Sequence, residues 1–430
     1  MSSSMIFLVV VCVGLTMARI PIGLSMLAGG VAYLLHKGVD PGLAAEQVMS
    51  AMLQADVLLA IPMFILCGNF ISGGSIAPRL MDLAQVFVGG IRGGLGHINV
   101  LVNVVFAAMS GSAVADAAGP GAVLIRMMRQ AGYPAGFSAA LTAAAGTLAP
   151  IIPPSIPMIL YAVIANVSVG ALFASGILPG LLVAMALMAG VAYQARKRGL
   201  PASERVALAA VPRFVLRALL PLGLPVVILG GIRIGAFTPT EGAAVAALYA
   251  LFLVFVVYRE MTAAQVYHVF RESLVQSASV MTIIMGAFLV NYAVAAEQLG
   301  QTIALWLTAM NFGAAGFLAS IMVLFLVLGC FIDTAIMLLV LVPMLLPTAR
   351  LLGVDLVHFG LVVTVNMMIG MMTPPYGVLL FVVSGVTGIP VREVIREAWF
   401  FCGILIACLF LLVAFPEISL YLPRQMGLIR

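Results

Sequence analysis

The chain has 430 residues, 64% of them apolar and only 8% charged, with a net charge of +5. Soluble domains are about 45–50% apolar and about 25% charged, so this composition excludes a soluble globular protein and requires an integral membrane protein. The excess positive charge is concentrated in one mid-chain loop, so it reads as membrane topology and implies no nucleic-acid partner.

In chain order, the first apolar run, Met5 to Leu35, reads as a first span, with no cleavable secretory signal evident. Segment 40–55 opens on Asp-Pro-Gly, carries Glu46 and Gln47, and reads as a short helix lying at the interface. Further spans are predicted at 57–72, 95–109, 155–174, 177–195, 215–231, 242–257, 277–296, 315–329, 357–371 and 399–415. Shorter apolar pieces with polar ends fall at 120–128, 136–149, 333–347 and 376–388. The expectation is about ten to twelve crossings plus half-length pieces, which are tolerated at membrane depth only where protein or a water-filled cavity covers their backbone. Segment 260–276 repeats the interfacial pattern of 40–55. In the middle, Arg196, Lys197, Arg198, Arg205, Arg213 and Arg217 are opposed only by Glu204, and such a loop is expected on the cytoplasmic side. Cys12, Cys67, Cys330, Cys402 and Cys408 lie in apolar runs without CxxC spacing and read as small buried hydrophobes.

The chain repeats itself at an offset of about 220 residues, counted directly between matching positions. Pro21-Ile22-Gly23 answers to Pro239-Thr240-Glu241-Gly242, and Asn69 to Asn291. Gly111 and Asp116 answer to Gly329 and Asp333, Arg129 and Gly132 to Arg350 and Gly353, and Pro153-Pro154-Ser155 to Pro374-Pro375-Tyr376. The order is the same in both halves, 1–200 and 213–430, with 201–212 as a basic linker region. A repeat with an odd number of crossings has its second copy inverted, and paired interrupted helices in inverted repeats mark secondary transporters. The fold expected is an all-α polytopic membrane protein of two inverted repeats, each with a re-entrant helical hairpin (around 95–135 and 315–350) and a broken helix (around 146–155 and 370–377).

The breaks carry the chemistry. A helix that stops inside the protein leaves unpaired carbonyls at one end and unpaired N–H groups at the other, suited to a cation and an anion respectively. Ser110, Gly111, Ser112, Ala113 and Asp116, with Gly146, Leu148 and Pro150 across the break, form one candidate cation site. Gly329, Cys330, Phe331 and Asp333, with Gly370, Met372 and Thr373, form the second. Oxygen ligands without His or thiolate suit Na⁺ or another hard cation, and Pro150, Pro153 and Pro154 are expected to expose the carbonyls of 146–151. Asp116 and Asp333 also fit as helix N-caps that only steady the hairpin turns. Asn69 and Asn291 suit interhelical hydrogen bonding, Glu241 and Glu297 scaffold roles, and Arg126, Arg129 and Arg350 hairpin ends at the interface. His36, His97, His268 and His358 form no HExxH-like pair.

The stretches "SGSAVADAAGPG", "LAPIIPPSIPMILYA", "FIDTAIMLLVLVPMLLP" and "MMTPPYGVLLF" resemble the large membrane subunit of tripartite ATP-independent periplasmic (TRAP) transporters, and the resemblance runs from "ARIPIG" at 18–23 to the C-terminal span. It implies an elevator-type transporter with scaffold and transport domains in the bacterial cytoplasmic (inner) membrane. It implies Na⁺ as coupling ion and small organic acids as solute: C4-dicarboxylates, keto acids or sialic acids. A small four-helix membrane subunit and a periplasmic substrate-binding protein are the implied partners. The family's sites map onto the two hairpin-and-break pairs, with solute expected between the hairpin tips near Ser112, Pro154, Ser155, Pro375 and Tyr376. The small-residue run Gly23–Gly30 offers a close-approach surface for the small subunit. A stand-alone anion/Na⁺ symporter of related architecture is the alternative. Such relatives carry Ser-Asn-Thr at their hairpin tips, whereas this chain has Ser112-Ala113-Val114 and Cys330-Phe331-Ile332. An intramembrane hydrolase would need a GxSxG, HExxH or paired-aspartate motif, and two inverted hairpins argue against a continuous channel pore. No phosphate-binding loop is present, which points away from nucleotide-driven transport.

Overall fold

The computed structural model describes residues 2–73, 76–203, 206–309 and 313–429, and these are helical apart from turns, loops and one isolated β-bridge between Arg92 and Ala202. Glu204 and Arg205 of the basic loop lie outside the described residues. The first half contains α1 (Ser3–Met17), α2 (Ile22–Lys37), α3 (Gly42–Gln54), α4 (Ala60–Gly73), α5 (Ile76–Val88), α6 (Gly94–Ser110), α7 (Ala113–Ala118), α8 (Pro120–Gln130), α9 (Ala135–Gly146), α10 (Ile156–Ala165) and α11 (Val169–Arg198). The second begins with α12 (Val211–Arg233) and α13 (Pro239–Leu251), which winds on into a π-helical stretch, Phe252–Val257. Then come α14 (Ala263–Ala296), α15 (Leu299–Ala309), α16 (Ala314–Gly329) and α17 (Thr334–Ile336). A second π-helical stretch, Met337–Leu341, joins α17 to α18 (Val342–Leu351), followed by α19 (Leu356–Met372), α20 (Val378–Thr387), α21 (Val391–Ala414) and α22 (Glu417–Gln425).

Among the described residues six helices are long and apolar enough to cross a bilayer, or seven if the bent pair formed by α3 and α4 counts as one span. That is fewer than the ten to twelve read from hydropathy, because several apolar runs are interrupted. The run Met5–Leu35 is two helices: Arg19 turns left-handed (φ 67°) and Pro21 precedes α2, so α1 ends and α2 packs back along it. The runs 155–174 and 177–195 are divided differently: α10 stops at left-handed Asn166, and one 30-residue helix, α11, continues through Pro179. Segment 260–276 is not a separate interfacial helix. From Ala263 on it is the first part of the 34-residue α14, about 51 Å long, whereas α3 and α4 bend by 76° at their break. The chain from Ala263 to Met285 holds no Gly or Pro, while Pro62 falls in the first turn of α4, where a missing N–H is harmless.

The two halves interlock through these arm helices: α2 lies along α14, α4 along α13 and α5 along α12. Small residues let α2 approach. A Cβ on Gly23 would stand 2.7 Å from backbone atoms of Thr282 and Ile283, one on Gly30 2.4 Å from Leu289, and one on Gly29 2.3 Å from the Cys12 sulfur. The Gly23–Gly30 surface is therefore filled by α14 and α1 of the same chain and is not a free face for a partner subunit, which corrects the expectation drawn from the sequence. Asn69 does bridge helices, its amide donating to Ser273 Oγ (2.9 Å) and Gln276 Oε1 (3.0 Å) on α14. Glu241 is engaged in a capping box with Thr238, and Glu297 accepts from Tyr33 and Lys37.

The hairpins and broken helices, with α11, α21 and α22 beside them, form the rest of the molecule. At about 1.5 Å per residue, the 17 residues of α6 reach roughly 25 Å, short of the roughly 30 Å hydrocarbon layer, before the chain turns back. In hairpin 1, α7 and α8 pack against α6. The arms of hairpin 2 are splayed by an apolar pocket of about 310 Å³ lined by Phe317, Ile321 and Leu324 on one side and Leu341, Met344 and Leu345 on the other. Behind them α9 packs on α21 and α19 on α16, with Arg198 of α11 gripping Glu397 of α21 through two hydrogen bonds (2.9 and 2.7 Å).

Candidate functional site

Hairpin 1 turns because Gly111 adopts φ 63°, ending α6. A Cβ at that position would stand 2.7 Å from the Pro154 carbonyl oxygen, so the hairpin tip rests directly on the broken segment. Ser112 caps α7, its hydroxyl accepting from Ala115 N (3.4 Å). One turn on, Asp116 is fully buried, and neither carboxylate oxygen has a hydrogen-bond partner among the described residues; the Ser110 side chain lies beside it. Gly146 faces the tip, where a Cβ would be 3.4 Å from the Ala113 carbonyl oxygen. Ser110, Gly111, Ser112, Ala113, Asp116 and Gly146 are thus brought together. The break itself is less open than its prolines suggest. Ala149 N donates to the Gly146 carbonyl (3.2 Å), Ile152 N to that of Leu148 (2.8 Å), and the Ser155 hydroxyl to that of Pro150 (2.5 Å).

Hairpin 2 meets its own break glycine to glycine: a Cβ on Gly370 would lie 2.7 Å from Gly329 Cα. The Cys330 thiol donates back to Leu326 O (3.2 Å), the Thr373 hydroxyl to Ile369 O (2.7 Å), and the Cys402 thiol of α21 to Met372 O (3.5 Å). Phe331 is exposed and lies against Tyr376, ring centres 5.7 Å apart. Asp333 is exposed and caps α17, accepting from Ala335 N at 2.9 Å.

The capping roles correct the register of the repeat. Arg129 and Arg350, Gly132 and Gly353, and the cis peptides Pro153-Pro154 and Pro374-Pro375 all share one offset of 221 residues. At that offset Asp333 answers to Ser112, and both are N-caps of the returning helix. Asp116 answers to Met337 instead. The segment 116–120, where α7 yields to α8 at Gly119, corresponds to the π-helical stretch Met337–Leu341. Both returning helices are therefore irregular at the same place, but only the first carries a buried carboxylate there.

Between the two tips lies a cavity of about 180 Å³. Ser112, Ala113 and Val114 line it from one hairpin and Asp333, Thr334 and Ala335 from the other, with Pro150, Ile156, Met368 and Met371 from the broken helices and Val280 from α14. Of the residues expected around a solute, Ser112 lines this cavity. Pro154 sits behind Gly111, and Ser155 is buried as the N-cap of α10. Pro375 is exposed, and Tyr376, also exposed, lies between Phe331 and Phe381. Thr334, Met368, Met371 and Val280 were not legible as cavity residues. Thr334 and Met371 adjoin predicted ones, but Val280 arrives from an arm helix that no local motif marks.

The family described as tripartite ATP-independent periplasmic transporter, DctM component, matches residues 8–418. The chain is 39% identical to the sialic acid TRAP transporter large permease protein SiaM of Vibrio cholerae, over 96% of each chain. It is 40% identical to the C4-dicarboxylate TRAP transporter large permease protein DctM of Pseudomonas aeruginosa, over 86% of this chain and 87% of that one. With the 2,3-diketo-L-gulonate TRAP transporter large permease protein YiaN of Escherichia coli it shares 34% identity over 93% and 94%. The crystal structure of the YdaH transporter of Alcanivorax borkumensis has the same fold, with a TM-score of 0.64 over 86% of this chain and 87% of that one at 15% identity. A multi-pass helical protein matched over nearly its whole length, the chain belongs to the DctM family and is a large permease subunit of a tripartite ATP-independent periplasmic transporter.

Proposed function

We propose that this subunit carries a small organic acid across the bacterial inner membrane by an elevator movement driven by Na⁺. The observation that carries this reading is the buried, unpartnered Asp116 beside Ser110, at a hairpin tip that rests on a broken helix and borders the inter-hairpin cavity. A buried carboxylate with only the Ser110 side chain beside it favours a cation as its partner, and nearby serine and carbonyl oxygens suit a hard one. Gly329 against Gly370, with the Met372 carbonyl nearby, offers a second, weaker place for Na⁺. The solute occupies the cavity, which no Lys or Arg among the described residues lines, so its carboxylate is matched by the bound cations and by the start of α10 at Ile156.

The arms α1–α5 and α12–α15 serve as the scaffold, and the hairpins with their broken helices slide against them. The repeats divide at the basic linker, 1–200 and 213–430. The named substrates of the relatives point to a C4-dicarboxylate, a keto acid or a sialic acid. Solute is delivered by a periplasmic binding protein, and a small four-helix subunit widens the scaffold. The test is uptake in proteoliposomes holding this chain, its small subunit and a loaded binding protein. Uptake should follow an imposed Na⁺ gradient and stop when the gradient is collapsed. Uptake that survives collapse of the gradient but fails on ATP depletion would overturn the Na⁺ reading, and rapid uptake by this chain alone would overturn dependence on partners.

A further inference from the structure

Away from the hairpins, a pocket of about 410 Å³ lies where three element ends meet: the first turns of α5 (Pro78, Arg79, Asp82), the first turns of α12 (Leu216, Arg217, Leu220) and Tyr258, just past the π-helical stretch that ends α13. Because α12 follows the basic linker, this is the end of the bundle at which α11 finishes in Arg196, Lys197 and Arg198, and such a cluster of basic residues marks the boundary between hydrocarbon and water. Its lining mixes apolar residues (Pro78, Leu216, Leu220) with charged ones (Arg79, Asp82, Arg217). Arg79 is already matched: its guanidinium bonds Glu260 at 2.7 Å and lies 3.6 Å from the centre of the Tyr258 ring. Arg217 and Asp82 leave the walls with one further cation and one further anion, neither of them ion-paired among the described residues. The Tyr258 hydroxyl is buried and has no hydrogen-bond partner among the described residues.

We propose that this pocket binds the headgroup of a zwitterionic phospholipid that carries a primary ammonium. The phosphate takes hydrogen bonds from the Arg217 guanidinium, the lining cation that has no carboxylate partner among the described residues. The ammonium donates to the Asp82 carboxylate. Pro78, Leu216 and Leu220 receive the glycerol end and the start of the acyl chains. Lipid is favoured over a protein segment because the pocket pairs opposite charges with apolar residues at the membrane boundary, the arrangement such a headgroup presents. A free phosphate shares the first half of this chemistry and a purely anionic lipid lacks the second. Since α5 packs on both α12 and α6, the lipid would steady the junction between the arm helices and hairpin 1.

The experiment is native mass spectrometry of the purified complex with its small subunit, exposed to phosphatidylethanolamine, phosphatidylglycerol or inorganic phosphate. The wild type should retain phosphatidylethanolamine about tenfold better than phosphatidylglycerol and should retain no inorganic phosphate. Arg217→Gln should lose this retention. Asp82→Asn, a near-isosteric change that keeps the fold, should erase the preference between the two lipids while still retaining both. Equal retention by wild type and Arg217→Gln, or a preference for phosphatidylethanolamine that survives Asp82→Asn, would overturn the proposal. So would release of the small subunit from Arg217→Gln with lipid retention unchanged, because that pocket would then belong to a protein partner.

Discussion

Replacing Gly370 by Ala tests whether the contact between hairpin 2 and its broken helix shapes a cation site. The added Cβ would stand 2.7 Å from Gly329 Cα and 2.8 Å from its carbonyl carbon, both backbone atoms that no rotamer change can move aside. Restoring an ordinary carbon–carbon contact requires the two segments to part by about 0.7 Å or more. Overfilling a packed interior costs about 1–3 kcal/mol, and if the ion-bound arrangement bears that cost, Na⁺ affinity falls about 5- to 150-fold. Gly329→Ala makes a milder demand, because its Cβ would be 3.1 Å from Gly370 Cα, a gap closed by a shift of a few tenths of an ångström. Gly385→Ala in α20 meets nothing within 4 Å and serves as the control. The assay is a Na⁺ titration of solute uptake by the reconstituted complex, with thermal unfolding of each variant measured in parallel. The expected order of Na⁺ half-saturation is Gly370→Ala well above Gly329→Ala, and Gly329→Ala above Gly385→Ala and wild type. Identical Na⁺ dependence in Gly370→Ala and Gly385→Ala, with both folded, would refute the reasoning.

Asp116→Asn should raise the Na⁺ concentration for half-maximal uptake more than tenfold and Asp333→Asn less than threefold, since only the first removes a buried charge; equal shifts in the same titration would count against this assignment. The two-bond contact between Arg198 and Glu397, partly exposed, should couple by about 0.5–1 kcal/mol in a double-mutant cycle read from unfolding, and strict additivity would show that it contributes nothing. Hydrogen bonds from Lys37, then Ser2 and Tyr33, hold the Glu297 carboxyl down at about 2 from an ordinary 4.5. A lowered carboxyl pKa contributes stability that is complete above 4.5 and fades as pH falls toward 2. Thermal stability of the wild type should therefore drop more steeply across that window than that of Glu297→Gln, and parallel pH profiles would contradict it.

How far the sequence could be read depended on whether a feature was local or long-range. Interrupted helices announce themselves through Pro, Gly and hydroxyl residues in apolar surroundings, so both hairpins and both breaks were legible, and so was the contact of each tip with its own break. What hydropathy could not give was continuity. Met5–Leu35 has the composition of one span, yet a left-handed Arg19 and Pro21 divide it, while α14 runs straight through a polar stretch that reads like an interfacial helix. The Gly23–Gly30 surface was legible as a place of close approach but not as one already filled by α14, because its occupant lies some 260 residues further along the chain.

The register of the repeat turned on the same distinction. Matching like letters pairs Asp116 with Asp333, whereas matching physical roles pairs Ser112 with Asp333: each supplies the oxygen that caps the returning helix, and their spacing is the one shared by the arginines, glycines and prolines that follow. This assignment changes the electrostatics of the site. A repeat built on Asp116 and Asp333 would hold two equivalent carboxylates. A repeat built on the caps leaves one buried carboxylate, in the first half alone, where its partner position is occupied by Met337. In a low-dielectric interior a full formal charge outweighs a few carbonyl dipoles. On the Na⁺-driven function proposed above, the two proposed cation sites would then fill in order, the first half before the second, and the weaker site would set the Na⁺ concentration at which transport begins.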